Sequence, residues 1–264
     1  MEPNGTWVYA ITERVDLTPL AQIRGVGGRP VRTVAAAGLT AVAEDVDLAE
    51  FGEEALRRNL EDLDWLETTA RAHHRVIDAV AQQGPLVPMR LATVYSGDAR
   101  IAAMLTQREA DFRSALRRIS GRMEWGVKAY ADRQPEASDD SAVTAGASRP
   151  GGGAGAAYLQ RRRNQLTAQK NARRETLASA EMIHAELSRC ADETRVHTPQ
   201  APQLTGIKAP MILNAAYLLD GTRGEDFAAA VAALADQHPG LRLELTGPWP
   251  PYSFAGTGEE GGLT

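Results

Sequence analysis

The sequence predicts an α+β chain of two domains, and three observations predict it. Short runs rich in β-forming residues alternate with long stretches whose apolar residues step by three and four. The composition changes abruptly to Gly, Ala, Ser, Asp and Pro between Ala131 and Gly155, dividing the chain in two. A run of prolines and aromatic residues then follows the last periodic segment.

Each element has a local reason. Trp7-Val8-Tyr9-Ala10-Ile11 is a compact β-rich run and reads as the first strand. Thr18-Pro19 has the form of a helix cap followed by proline in the first turn, so a short helix is expected before Gly25. Pro30 to Val34 and Leu39 to Val46 read as two strands joined by a hairpin at Ala36-Ala37-Gly38. From Glu53 to Gln83, the positions Leu56, Leu60, Leu63, Leu66, Ala70, Ile77 and Val80 form one face of a long amphipathic helix. Gly84-Pro85 stops it, and Leu86 to Tyr95 follows as a strand interrupted at Pro88. Asp98 to Ile119 returns to helical spacing, with Ile101, Leu105, Phe112, Leu116 and Ile119 facing inward. The order β-α-β-β-α-β is that of a ferredoxin-like unit, here with an added helix, and is assigned to residues 1–120.

The second α+β domain is assigned to 121–254. Trp125 to Tyr130 reads as its first strand. A mobile loop is expected at 131–157, because that composition buries too little surface to offset its ordering entropy. Tyr158 to Arg195 reads as a long helix with a core stripe at Leu177, Ala180, Ile183 and Leu187. Pro210 to Leu219 is a strand, Glu225 to His238 a helix and Leu241 to Leu245 a last strand, before a disordered tail at 255–264.

Composition narrows the function classes. The chain has 264 residues, 43% hydrophobic but only 5% aromatic, so its core must lean on Ala, Val and Leu. A net charge of −5 argues against a general nucleic-acid or anionic-membrane binder. The lone cysteine, Cys190, allows no internal disulfide and suits a reducing cytoplasm. Met1-Glu2-Pro3-Asn4-Gly5 shows no signal-peptide pattern, and no apolar run approaches the ~20 residues of a membrane span.

The closing run, Thr246-Gly247-Pro248-Trp249-Pro250-Pro251-Tyr252-Ser253-Phe254, carries three prolines that fix φ and delete donors. It is not expected to continue as a central strand. Rings on so stiff a backbone lose little entropy on docking. Trp249, Pro250, Pro251, Tyr252 and Phe254 therefore read as a latch over the core of the second domain, as a contact ridge for a partner, or as both on different faces.

Other candidate sites carry plainer readings. Gly25-Val26-Gly27-Gly28 precedes Pro30 and a strand, whereas a phosphate loop requires a helix after its glycines; a turn is expected. His73 lies on the apolar stripe between Ala70 and Ile77, and adjacent helical residues diverge by about 100°, so His73 and His74 do not form a chelating pair. No metal, cofactor or catalytic residue is predicted. Cys190 has no neighbouring base and reads as a packing residue. Arg90, among apolar neighbours in Pro88-Met89-Arg90-Leu91, must pair with a carboxylate or snorkel to water; structural pairing is expected, with a partner contact as the alternative. Arg161, Arg162 and Arg163 head a segment, 154–195, with eight Lys/Arg against five Asp/Glu. Without interleaved aromatics this suggests a solvated face or a protein-docking patch, not RNA binding.

Four segments, taken together, resemble the gas vesicle accessory proteins of the F and L type. Gly121-Arg122-Met123-Glu124-Trp125-Gly126-Val127-Lys128 is similar to that family's signature between its two domains. His73-x-x-Val76-Ile77, followed by Leu86-Val87-Pro88-Met89-Arg90-Leu91-Ala92-Thr93-Val94, is similar to its helix-to-strand motif. Gly155-Ala156-Ala157-Tyr158-Leu159 and the arginines after it resemble the opening of its second-domain helix, and the aromatic-proline run resembles its C-terminal segment. The departures are the Gly/Ala/Ser insertion before Tyr158 and a Gly/Glu tail. The resemblance implies a non-enzymatic role at gas vesicles: binding the small, very apolar shell protein GvpA and limiting its aggregation, alongside other accessory proteins. Trp125 joins the candidate contact residues on this ground. The alternative, a small-ligand-binding or enzymatic ferredoxin-like domain, is permitted by the fold.

Overall fold

The computed structural model describes residues 4–131, 154–200 and 209–256. The chain divides into two compact units. The first comprises Met1–Glu124, Leu218–Gly221 and Gly247–Thr264; the second comprises Trp125–Tyr217 and Thr222–Thr246. The aromatic-proline run thus groups with the N-terminal residues, not with the 121–254 segment to which the sequence assigns it.

The first unit is built on β1 (Asn4–Thr12), β2 (Arg32–Ala36), β3 (Leu39–Asp47), β4 (Val87–Pro88) and β5 (Val94–Tyr95). Its antiparallel order is β2-β3-β1-β4, with β5 also paired to β1. This is the ferredoxin-like order, with two departures from the expected elements. Turns at 18–22 replace the short helix expected between β1 and β2. The strand expected over 86–95 is two short ones, divided by a turn in which Ala92 takes φ 64°. Central β1 is buried from Gly5 to Thr12, so both of its faces carry large residues instead of alternating with polar ones.

After a short helix α1 (Leu48–Phe51), helices α2 (Glu53–Asn59) and α3 (Leu63–Ala81) replace the single long helix expected from periodicity. The break has a chemical cause. The Asp62 carboxylate accepts from the backbone N–H groups of Asp64 and Trp65, capping α3 and starting a new helix. Likewise α4 (Asp98–Gln107) and α5 (Glu109–Ile119) part at Arg108, whose φ of −110° is not helical. Val76, Ile77 and Val80 of α3 pack with Trp7, Tyr9, Leu20 and Phe51 in one buried cluster.

A second sheet, of order β7-β8-β6-β9, is formed by β6 (Arg122–Ala131), β7 (Glu193–Val196), β8 (Met211–Asp220) and β9 (Leu241–Trp249); most of it belongs to the second unit, while Arg122–Glu124, Leu218–Asp220 and Gly247–Trp249 belong to the first. Helix α6 (Ala154–Cys190) is longer at its start and shorter at its end than expected. Residues 154–157 of the predicted loop are helical, while 132–153 lie outside the described residues, as do 257–264 of the predicted tail. Ala180, Ile183 and Leu187 of α6 are buried, but Leu177, expected in the same stripe, is exposed. Helix α7 (Gly224–Gln237) buries Phe227, Val231 and Leu234. β9 continues through Pro248, further than expected; as an edge strand it tolerates a residue without an N–H.

Candidate partner-binding groove

Two adjacent histidines on α3 point to different fates. His73 is buried in the first unit, its Nδ1 accepting from the Trp7 indole N–H at 2.9 Å while its Nε2 lies 3.1 Å from the Met89 carbonyl. Accepting at one nitrogen and donating at the other requires the neutral Nε2–H tautomer. Burial pushes its pKa down to about 4, partly countered by the Met89 hydrogen bond.

His74, one residue on, faces the C-terminal run. Its ring stacks on Tyr252, with centroids 5.9 Å apart and planes 13° apart, and meets Trp249 edge-on at 5.2 Å. The Tyr252 hydroxyl is 3.3 Å from His74 Nδ1. Nε2 is buried without a hydrogen bond among the described residues, and the Asp78 carboxylate lies 3.6 Å away. Burial, reinforced by the charges of Asp78 and Glu124, raises the Tyr252 pKa, so the hydroxyl stays protonated.

Glu124 fixes the next residue of the run. One carboxylate oxygen accepts from the Ser253 N–H at 2.7 Å and the other from the Ser253 hydroxyl at 2.6 Å. Phe254 is fully buried and its carbonyl accepts from the Arg118 guanidinium. Pro250 and Pro251 are buried as well. The run therefore covers the core of the first unit, correcting its expected seat over the second domain. Trp249 differs: it remains 41% exposed.

Between α3 and this run lies a groove of about 860 Å³. Its floor is the α3 stripe Ala70, His74, Asp78 and Gln82, its rim includes Arg71 and Arg75, and Trp249 and Tyr252 form one wall. Arg71 is paired with Glu67, whereas Arg75 is exposed with no ion pair to a described residue. A trough along a helix that mixes aromatic and aliphatic walls with the charges of Arg71, Arg75, Asp78 and Glu124 suits an amphipathic segment of another protein. Among the described residues no cluster of His, Cys, Asp or Glu is arranged to hold a metal.

The remaining sequence candidates are not gathered here. Arg90 lies in the loop after β4, exposed and without an ion pair to a described residue, so among the described residues its guanidinium reaches water and not a carboxylate. Trp125 packs inside the second unit, its ring 6.3 Å from Phe227 and against Gly224, where a Cβ would lie 2.8 Å from the indole. Arg161, Arg162 and Arg163 lie on α6, and the last two are exposed. Sequence reading missed His74 and Glu124 as latch partners, although Glu124 sits inside the Gly-Arg-x-Glu-Trp motif quoted above.

The Gly25–Gly28 segment is a turn, but a purposeful one. It folds over the buried Glu44 carboxylate, which accepts from the N–H groups of Gly27 and Arg29 at 3.2 and 2.6 Å and from the Tyr9 hydroxyl at 2.5 Å. The Tyr9 hydroxyl in turn accepts from the Val26 N–H at 2.9 Å. A β-bulge between Val8 and Ala10 takes Tyr9 out of the β1–β3 register. Burial, then the Glu44 charge, raises the Tyr9 pKa and keeps it a donor.

No helix among the described residues is long and apolar enough to cross a membrane. Comparison with known proteins agrees with the motif pattern. The family described as "Gas vesicle synthesis protein GvpL/GvpF" matches residues 5–256. Gas vesicle protein L of Streptomyces sp. (strain CB03234) is 40% identical over 257 residues, covering 96% of this chain and 94% of that protein. Gas vesicle protein F of the same strain is 25% identical over 259 residues, covering 94% and 98%. Crystal structures of GvpF from Anabaena sp. PCC7120 and from Microcystis aeruginosa share the fold, with TM-scores of 0.64 and 0.65 at 22% and 18% identity. Each covers 96% of this chain, matched over 96% and 99% of the respective structure. The chain belongs to the GvpL/GvpF family of gas vesicle proteins.

Proposed function

We propose that this protein is an accessory factor of gas vesicle assembly that binds the apolar shell subunit GvpA, limits its aggregation and delivers it to the growing vesicle. Family membership supports the accessory role; one observation supports the finer reading. The groove between α3 and the C-terminal run is walled by Trp249, an aromatic residue left 41% exposed on a backbone otherwise locked down by Pro250, Pro251 and Phe254. A rigid exposed ring at the wall of a groove is the form of a binding anchor. A wall-forming subunit exposes apolar surface before assembly, and such a trough shields part of it. The role needs no catalysis, cofactor or nucleic acid, and it is exercised in the cytoplasm at the vesicle surface together with other accessory proteins. The higher identity to the L than to the F protein of one Streptomyces strain supports an L-type assignment.

The test is light scattering of the purified shell subunit with and without this protein. Near equimolar ratio, scattering falls and the two co-purify; Trp249→Ala weakens both while leaving the fold intact. Unchanged scattering and no co-purification reject the reading.

A further inference from the structure

The first five turns of α6 stand apart from everything else in the chain. Tyr158 and Leu159 are each 63% exposed, and Leu166 is exposed as well. Residues 154–174 contain Arg161, Arg162, Arg163, Lys170, Arg173 and Arg174 and no acidic residue. Arg162, Arg163, Lys170, Arg173 and Arg174 form no ion pair with a described residue. Lys170 and Arg174 are like charges four apart, which weakens a helix. A long helix with exposed apolar residues and unrelieved positive charge is completed by a partner surface of opposite character.

The chain itself carries that surface. At the α2–α3 corner, Leu63 is 77% exposed and Leu60 is 38% exposed. Between and after them stand Glu61, Asp62, Asp64 and Glu67, all exposed, with no Lys or Arg from Asn59 to Ala70. Leucines set among carboxylates match tyrosine and leucines set among guanidinium groups, in both charge and apolar content.

We propose that this protein self-associates head to tail, the α6 segment 158–174 of one copy docking on the Leu60–Glu67 corner of a second copy. The two faces differ, so the contact is heterologous: each copy keeps one unused face of each kind, and association extends to a ring or a short chain instead of stopping at a symmetric dimer. The interface adjoins the groove proposed for the shell subunit only at Glu67, whose partner Arg71 stands on the groove rim.

Sedimentation velocity of the purified full chain tests this. The average mass rises with concentration at low salt, and the association constant falls at least about tenfold from roughly 50 mM to 500 mM salt. Two variants are paired: Arg162→Glu with Arg163→Glu and Arg173→Glu, and Glu61→Lys with Asp64→Lys. The second set spares Asp62, which caps α3, and Glu67, which pairs with Arg71. Each set alone is monomeric, and mixing the two restores association as far as a one-to-one pair, because the unaltered α6 of the corner variant then meets the unaltered corner of the α6 variant; circular dichroism confirms that both stay folded. A wild-type chain that is monomeric at every concentration overturns the proposal. So does an unchanged mass after corner reversal, and so does a finding that α6 reversal abolishes only heparin or RNA binding.

Discussion

Tyr252 lies flat on His74, joining a residue near the end of the sequence to the exposed side of a helix whose other side holds the core. That contact ties the aromatic-proline run to α3 and leaves Trp249 standing at the groove edge. The run thus divides into residues that hold it down and a residue that is displayed.

Phe254 and Trp249 are expected to separate on mutation. Phe254→Ala empties a fully buried site and should cost about 3–5 kcal/mol of stability. Trp249→Ala loses an edge contact with His74 and some half-exposed surface, about 1 kcal/mol. Denaturant unfolding of both variants, with shell-subunit capture measured alongside, shows stability loss in the first and binding loss in the second.

The His73 site makes stability depend on pH. Its pKa is near 4 when folded and about 6.5 when unfolded. Above about pH 6.5 both states are neutral there, and the site adds no pH dependence. As pH falls from about 6.5 to 4 the unfolded state takes up the proton first, so stability declines by roughly 3 kcal/mol and then levels off. His73→Gln keeps an acceptor for Trp7 and a donor for Met89 but does not titrate. Urea melts across this window should be flatter for the variant; equal slopes would show that other groups carry the dependence.

Gly25→Ala should be among the most damaging single changes. Its Cβ would sit 2.1 Å from both the Glu44 carboxylate and the Tyr9 hydroxyl, forcing the turn off its anchor. Tyr9→Phe removes only the hydroxyl and should cost about 1–3 kcal/mol. Thermal melts that rank Gly25→Ala as the milder of the two would contradict this account of the turn.

Glu124→Ala strips the Ser253 N–H and hydroxyl of their acceptors. An outcome of about 1–3 kcal/mol lost stability is expected, with amide exchange at Ser253 accelerated well before global unfolding. Glu124→Gln keeps an acceptor and should lose less.

Much of this was legible from residues alone, because periodicity reports burial. The strands at β1, β2 and β3, the inward face of α5, and the buried His73, Ile77 and Val80 all follow from local pattern, whereas Leu60 and Leu63, expected on the same stripe, are exposed because they sit at the α2–α3 corner. What periodicity hides is where a face is cut: α2 and α3 share a nearly continuous stripe, and only the Asp62 cap separates them. The helix expected at Thr18-Pro19 had its start signals but too few turns before Gly25 to repay nucleation. Arg90 read as a strand residue because its neighbours are apolar, yet Pro88 ends the pairing two residues earlier. The groove depends on residues from Pro19 to Tyr252 meeting in space, which no local window contains. Within it, the aromatic run announced itself by composition, while His74 and Asp78 looked like ordinary surface positions of a helix.

Burying Phe254 beneath the first unit also sets a schedule. During synthesis the N-terminal sheet emerges from the ribosome more than a hundred residues ahead of the ring that completes its packing. Until then the nascent chain leaves the seat of Phe254, whose carbonyl meets Arg118 of α5, unfilled, an apolar station for a general chaperone. Fragments ending near Glu124 should consequently stick to such helpers, and supplying the 247–256 peptide in trans should release them.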